Sequence, residues 1–272
     1  KYAQGDVHAA RYNNFNDTAW ENIGLPHSFS IPYFMSKDFY VGYGWYRKHL
    51  SLTPEDLEKK LFLEFEGVFQ EAEIFVNGKL AGSHTGGYTG FSVDISSYVR
   101  KGDNLIAIRV NNLWRPDVAP RAGEHVFSGG IYRNVHLVKT KHCHIAWYGT
   151  FITTPDLEEN NGQSTRIKIE TEIINECRES GIYRLLTHIL DRNGNRVAEV
   201  ETTDTIAAGS DRKFVQFTSP VYQPDLWNPQ HPSLYRAVSM VYHNGELTDS
   251  IQTSFGFRWF KWTADKGFFL NG

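Results

Sequence analysis

Apolar residues in this chain alternate with polar ones in short runs separated by turn dipeptides, and nowhere does a helical spacing persist for more than about two turns. That pattern excludes helix bundles and wound α/β sheets and predicts an all-β protein. Tyr43 to Leu52 alternates, Leu61 to Phe69 puts Leu61, Leu63 and Phe65 on one face, and Ala72 to Val76 runs into Asn77-Gly78. Asn-Gly is the strongest short-range hairpin signal, because both central residues of a type I′ turn need positive φ. Phe91 to Tyr98 and Leu105 to Val110 flank a turn at Lys101-Gly102-Asp103-Asn104, and Ile131 to Val138 closes this first series.

The pattern breaks around Lys139 to His144, and a second series begins. Its strands are His144 to Thr153, Arg166 to Asn175, Tyr183 to Asp191, Val197 to Thr203, Phe214 to Phe217, Leu234 to Tyr242 and Ile251 to Phe257. Their number and length suit an immunoglobulin-like sandwich, without the Cys-Trp-Cys framework of antibody domains. Asp191-Arg192-Asn193-Gly194-Asn195 is a hairpin turn, and Trp227, in a proline-bounded corner, is expected to pack under the sandwich edge. The reading is two β domains, 1–140 and 141–257, followed by a distinct tail, 258–272. The tail carries Trp259, Phe260, Trp262, Phe268 and Phe269 with no strand partner in view, and is expected to pack on polypeptide beyond this segment.

The 272 residues are 40% hydrophobic and 14% aromatic, enough for packed cores rather than disorder. A formal net charge of -3 offers neither a basic field for a phosphate backbone nor a polybasic stripe, so nucleic acid and membrane are excluded as partners. No apolar run approaches the roughly 20 residues of a membrane span. Cys143 and Cys177 lack the spacing of a zinc or redox motif, and no sequence signature implies a metal or other cofactor. The nucleophile elbow, the H-E-x-x-H zinc motif, the P-loop and the dinucleotide fingerprint are all missing. Glu64 and Glu66 alternate with core residues and are read as solvated.

The segment from Ala119 to Val138 stands apart. It crowds Arg121, Glu124 and His125 before Ser128-Gly129-Gly130 and then enters a strand, which suits either a solvated charged turn or a binding loop presented by a rigid sheet.

Several pieces together resemble the front portion of a glycoside hydrolase family 2 enzyme of the β-galactosidase and β-glucuronidase type. They are LPHSF at Leu25 to Phe29, GYGWYRK at Gly42 to Lys48, the stretch from Phe65 to Ser96 with VNGKLAG inside it, and DNLIAIRVNN at Asp103 to Asn112. SGGIYRNVHLV at Ser128 to Val138, DLWNPQHPSLY at Asp225 to Tyr235, and FGFRWF through GFFLNG complete the set in the family's order. The resemblance implies a jelly-roll domain of sugar-binding type, an immunoglobulin-like sandwich, and a catalytic TIM barrel that starts at the tail and carries both catalytic glutamates. No carboxylate in this chain is therefore assigned a catalytic role.

Counting back from Gly130, Ile131 and Arg133, the family's sugar-facing acid falls on Glu124, with His125 beside it, although Val126 stands where many relatives carry an aromatic. His27 in LPHSF is a further candidate for the same face, with a structural turn as its alternative. Arg133 is read as pairing with a carboxylate, and Trp114 as sealing a loop against the sheet. The resemblance further implies a carbohydrate substrate and the chain's own barrel as partners. It also implies a homo-oligomeric whole enzyme and a periplasmic or secreted location. An autonomous carbohydrate-binding module and a tandem β-sandwich spacer are the other readings.

Overall fold

The Asn77-Gly78 turn forms as predicted, with Asn77 at φ 51° and Gly78 at φ 87°. The Asn77 side chain also works at long range: its oxygen accepts the Leu105 N–H at 3.0 Å and its amide donates to Asn104 at 2.8 Å. Asn104 is fully buried and donates to the Arg100 and Gly102 carbonyls, so the Lys101–Asn104 turn is organised by one amide side chain.

The computed structural model describes residues 1–29, 40–119 and 129–272, which fall into two units, Lys1–Lys139 and Thr140–Gly272. The strands of the first unit are β1 (Tyr2–Gln4), β2 (Tyr43–Leu52), β3 (Lys60–Phe65), β4 (Glu71–Val76), β5 (Lys79–Thr85), β6 (Phe91–Asp94), β7 (Gly102–Asn111) and β8 (Val135–Thr140). Two sheets, β1-β2-β7-β4-β5 and β6-β3-β8, enclose a core of Leu61, Leu63 and Phe65 from one side and Ile74, Val76, Ile106, Ile108 and Val110 from the other. This is the jelly-roll sandwich.

Three strands are shorter than the alternation predicts, each for a local reason. β3 stops at Phe65 because the chain turns at Gly67, where a Cβ would lie 2.8 Å from the Tyr132 ring. β6 stops at Asp94, whose carboxylate takes the Ser96 N–H at 2.9 Å. β8 begins only at Val135, since Gly130 is occupied by a bridge to Phe69.

β7 carries an unbroken apolar run from Leu105 to Ile108 because it is covered on both faces there. Leu105 and Ala107 point away from the main core and pack with Trp45, Phe75 and Ala10, beside Phe15 and Trp20 of the N-terminal segment. Arg47 clamps that segment. Its guanidinium donates to the Ala10 carbonyl, to the Tyr12 carbonyl at 3.0 Å and, through Nε, to Asp17 at 2.8 Å, with only 1% of its side chain exposed.

The second unit contains β9 (Cys143–Thr153), β10 (Ser164–Thr165), β11 (Lys168–Asn175), β12 (Gly181–Leu190), β13 (Arg196–Ile206), β14 (Ser210–Phe217), β15 (Val221–Tyr222), β16 (Tyr235–His243) and β17 (Glu246–Phe255). Sheets β14-β11-β9 and β13-β12-β16-β17 enclose two apolar clusters, one around Ile173, Tyr183, Leu185 and Val241, the other around Ile167, Ile169, Ile189 and Phe257. Thr187, Gln216 and Ser239 form a buried polar link between the sheets, with Thr187 Oγ1 donating to Gln216 at 2.8 Å. The two sheets form the immunoglobulin-like sandwich.

Trp227 lies half-buried against Gly256, with the Arg258 guanidinium 4.4 Å from its ring, matching the expected edge packing. The tail forms a hairpin, β18 (Phe260–Thr263) with β19 (Gly267–Leu270), which among the described residues pairs with itself alone. Asn271 roots it, donating to the Trp227 carbonyl at 3.0 Å and accepting the Trp259 N–H at 3.2 Å. Trp262 remains 76% exposed, so the hairpin is not an edge of the sandwich.

Both cysteines are free thiols. Burial pushes the Cys143 thiol up to about 11, whereas Cys177 is only half-buried. A disulfide reagent at pH 8 is expected to titrate Cys177 alone in the native chain and both thiols after denaturation, since the thiolate is the reactive form. Labelling followed by peptide mass analysis checks this.

Candidate functional site

Strand register decides which loops meet. Tyr43 lies opposite Asn111, Asn111 opposite Glu71, and Glu71 opposite Thr85, so segments 40–42, 66–70, 86–90 and 112–119 all adjoin the larger sheet at one end. Backbone bonds join them. Phe69 and Gly130 exchange N–H···O bonds of 3.0 and 3.1 Å, and the Gly86 N–H donates to the Gln70 carbonyl at 2.8 Å. The His27 N–H donates to the Ile131 carbonyl and the Phe29 N–H to the Gly129 carbonyl, each at 2.8 Å. Asn112 accepts the Gly42 N–H at 2.8 Å and donates to the Tyr40 carbonyl at 2.9 Å. A shared root of this kind gives loops a fixed base from which to present side chains.

Glu124 and His125, with Arg121 and Val126, lie outside the described residues, between Ala119 and Gly129. The strand end and the glycine pair from which that stretch departs are described, and both belong to this root.

His27 is placed at the centre of the root. Its ring stands 4.4 Å from that of Tyr2 and 5.5 Å from that of Tyr46, and its Nδ1 is 2.9 Å from the Tyr46 hydroxyl. The Ile131 N–H can only donate, and it reaches the same hydroxyl oxygen at 3.3 Å. The hydroxyl still has one proton to give, and Nδ1 is the acceptor it meets among the described residues, so the tautomer of His27 that satisfies both groups is neutral with Nε2 protonated. The ring acts as an anchor of the loop end. Burial lowers the His27 pKa, and that of His84, below the ordinary value of about 6.5.

The unfolded chain then takes up these protons first as pH falls. Stability contributed by neutral His27 and His84 is complete above about pH 6.5 and is lost as pH drops through that value toward the lower folded pKa. Urea unfolding midpoints between pH 7.5 and 5.5 are expected to fall for the parent chain and to fall less for His27→Gln and His84→Gln. Parallel slopes in all three would remove this account.

Two aromatic rings project at this end. Tyr88 is 63% exposed and meets Phe69 edge-on at 5.8 Å, with Phe69 itself buried beneath Gly87. Trp114 is 68% exposed, which corrects the expectation that it seals a loop against the sheet. Loop 112–119 is held instead by Arg115, which pairs with Glu71 and, from Nε, with Asp117 at 3.0 Å. Arg133 is exposed, and its positive charge helps hold the Glu66 carboxyl down, behind the larger effect of His136 3.1 Å away. Glu66 is solvated as expected, but Glu64 is half-buried, and burial raises its pKa.

The Glu71 and Asp117 carboxylates are both engaged by Arg115, so the described part of this end offers no paired acid and nucleophile. It offers rings, amides and ion-paired carboxylates, a set suited to holding a polar ring-shaped ligand. Among the described residues no three His, Cys, Asp or Glu side chains group as a metal site, and no helix is long and apolar enough to cross a membrane. The partnership of Tyr2, His27 and Tyr46 was not read from sequence. Its members sit on separate segments, and only the register of β1 on β2, Tyr2 opposite Tyr46, makes them neighbours.

The sugar binding domain model of the glycosyl hydrolases family 2 matches residues 7–141, and the companion model of the same family matches residues 143–258. The chain belongs to glycosyl hydrolase family 2. This family 2 chain is 33% identical over its full length to a β-galactosidase of Bacteroides ovatus, covering 32% of that protein. It is 32% identical to a β-glucuronidase of Formosa agariphila, again over the full chain and 30% of the relative. The crystal structure of a Bacteroides uniformis β-glucuronidase superposes with a TM-score of 0.92 at 34% identity, covering the whole chain and 33% of that structure. The chain thus spans about a third of the length of the relatives it matches, and its described residues form the two sandwiches.

Proposed function

We propose that this family 2 chain is the non-catalytic N-terminal part of a retaining exo-β-glycosidase, with the loop end of its first unit turned toward the substrate. The observation that carries this is the tiling of residues 7–141 and 143–258, in order, by two models of one hydrolase family. The relatives act on β-galactosides or β-glucuronides by name, and a B. uniformis β-glucuronidase 2 with the same fold was crystallised covalently bound to a cyclophellitol-6-carboxylate aziridine. A covalent adduct in that relative supports double displacement, in which one carboxylate attacks the sugar and a second serves as acid and then base. Both carboxylates come from a barrel domain, and the same chain's barrel is the partner of these two units.

In this reading Glu124 and His125 face the non-reducing sugar from the stretch rooted at Gly129-Gly130. His27 holds that root through Tyr46 rather than touching the sugar. A β-galactoside is the first substrate and a β-glucuronide the second, the latter favoured by the B. uniformis and F. agariphila relatives.

The test compares the 272-residue chain with the complete reading frame that encodes it on nitrophenyl β-galactoside and β-glucuronide. The chain alone is expected to release no nitrophenol and the complete frame to release it, with Glu124→Gln raising KM or lowering kcat on one glycoside. Turnover by the purified 272-residue chain overturns the proposal.

A further inference from the structure

The outer face of the β14-β11-β9 sheet carries a second aromatic surface, on a different unit from the loop end. Phe151 is 63% exposed, Phe217 45% and Val215 47%. The register sets them in two rows, Phe151-Glu170-Val215 and Thr153-Lys168-Phe217. Phe151 and Phe217 stand on the two outer strands, roughly 10–12 Å apart from strand spacing and rise. That is close to the span of two rings in a β-linked sugar chain.

The same strand, β9, is distorted in a way that adds more aromatic area. Thr150 pairs with Thr171 and Ile145 with Ile173, which leaves Ala146, Trp147, Tyr148 and Gly149 facing Glu172 alone. This extended bulge pushes out Tyr148, 78% exposed, and Trp147, 41% exposed, with ring centroids 4.4 Å apart and planes at 57°. Tyr148 sits at φ 52°, a conformation L side chains seldom adopt, and Gly149 is needed because a Cβ there would lie 2.7 Å from the Ala146 carbonyl. A strained backbone that exposes two large rings is a feature to explain, because folding alone favours burying them.

The chemistry of the face selects the ligand. Charged groups occupy its middle strand: Glu170 pairs with Lys168 and lies 3.8 Å from Lys213. The cores of protein interfaces are depleted of charge, so a protein partner would have to desolvate these groups between its aromatic contacts. A sugar chain places its C–H faces on the rings and its hydroxyls on the ion pair, where they replace the hydrogen bonds of the water they displace. Lys168 and Lys213 are outnumbered by Glu170, Glu172 and Asp211, and Arg166 is paired with Asp156, so the face has no positive field to attract a polyuronate. We propose that this face, with Phe151 and Tyr148 as stacking residues and Phe217, whose ring carries the Arg166 guanidinium at 5.3 Å, beside them, binds neutral β-linked polysaccharide chains.

Affinity electrophoresis of the 272-residue chain in gels containing β-galactan, mixed-linkage β-glucan or alginate tests it. Retardation is expected in at least one neutral gel and not in alginate, and is unchanged by moderate salt. Phe151→Ala and Tyr148→Ala, both surface changes, are expected to weaken it roughly threefold to tenfold each, and Trp114→Ala in the first unit to leave it intact. The choice of a glycan rests on the β-glycosidase reading, so glycoside turnover by the complete reading frame is measured in parallel. Turnover without retardation overturns the platform alone, whereas loss of both overturns the reading as well. Retardation abolished by Trp114→Ala but not by Phe151→Ala moves binding to the loop end. Self-association on sizing that Phe151→Ala removes, with no retardation, makes the face a protein contact. Either result overturns the proposal.

Discussion

Arg47→Met is expected to destabilise the first unit by roughly 3–4 kcal/mol and to release the N-terminal segment from the outer face of its larger sheet. The guanidinium is 1% exposed and serves the Ala10 and Tyr12 carbonyls and the Asp17 carboxylate at once. Its removal does not abandon Asp17, which keeps Lys1 at 3.1 Å. The cost arises from backbone carbonyls left without donors and from Phe15, over which the Arg47 guanidinium sits at 5.4 Å. Once that segment loosens, Trp45 and Ala107, both fully buried, lose their cover. Arg47→Lys restores charge but not the planar fork, so it is expected to recover only a minor part of the loss. Equilibrium urea unfolding, with proteolysis mapping cuts within residues 7–20, measures both effects. A midpoint unchanged in Arg47→Met would show that the segment is held by its apolar contacts alone.

Gly130→Ala is expected to be the most damaging single methyl group in the loop end, at roughly 2–4 kcal/mol. Gly130 has φ 121°, and a Cβ there would stand 2.7 Å from the Tyr46 hydroxyl and 2.8 Å from the His27 carbonyl oxygen. The second contact is with backbone, so relief requires the His27 turn and the Phe69 bridge to separate. Gly102→Ala is the control, because its φ of 84° is also unfavourable yet nothing lies within 4 Å of the added methyl. That variant is expected to lose only about 1 kcal/mol. Under the proposed function, Gly130→Ala in the complete reading frame is further expected to lower kcat/KM at least about tenfold, since Glu124 and His125, which precede this root, are proposed to face the sugar. Equal destabilisation by the two substitutions would assign the effect to φ alone and remove the collision from the explanation.

Which parts of this molecule were legible beforehand follows from how far apart the responsible residues lie. Asn77-Gly78 specified its hairpin because two adjacent residues set both dihedrals. Leu61, Leu63 and Phe65 announced an inward face because pleating is a property of consecutive residues. Ile131 to Val138 alternates equally well, yet pairing starts only at Val135, since Gly130 is taken by Phe69, a residue far away in the chain. Trp114 illustrates the same limit: a tryptophan between Leu113 and Arg115 does not reveal whether its ring faces in or out.

From the residues alone came an all-β chain, its strand-turn order, its division into two sandwiches and, through motif order, its family. All of these depend on local dihedral preference or on the succession of short segments. The convergence of Tyr2, His27 and Tyr46, the clamp of Arg47 on the N-terminal segment and the rows of rings on the β14-β11-β9 face emerged only from the tertiary structure. Each is set by register between strands distant in sequence, where a shift of one residue would turn every side chain to the opposite face.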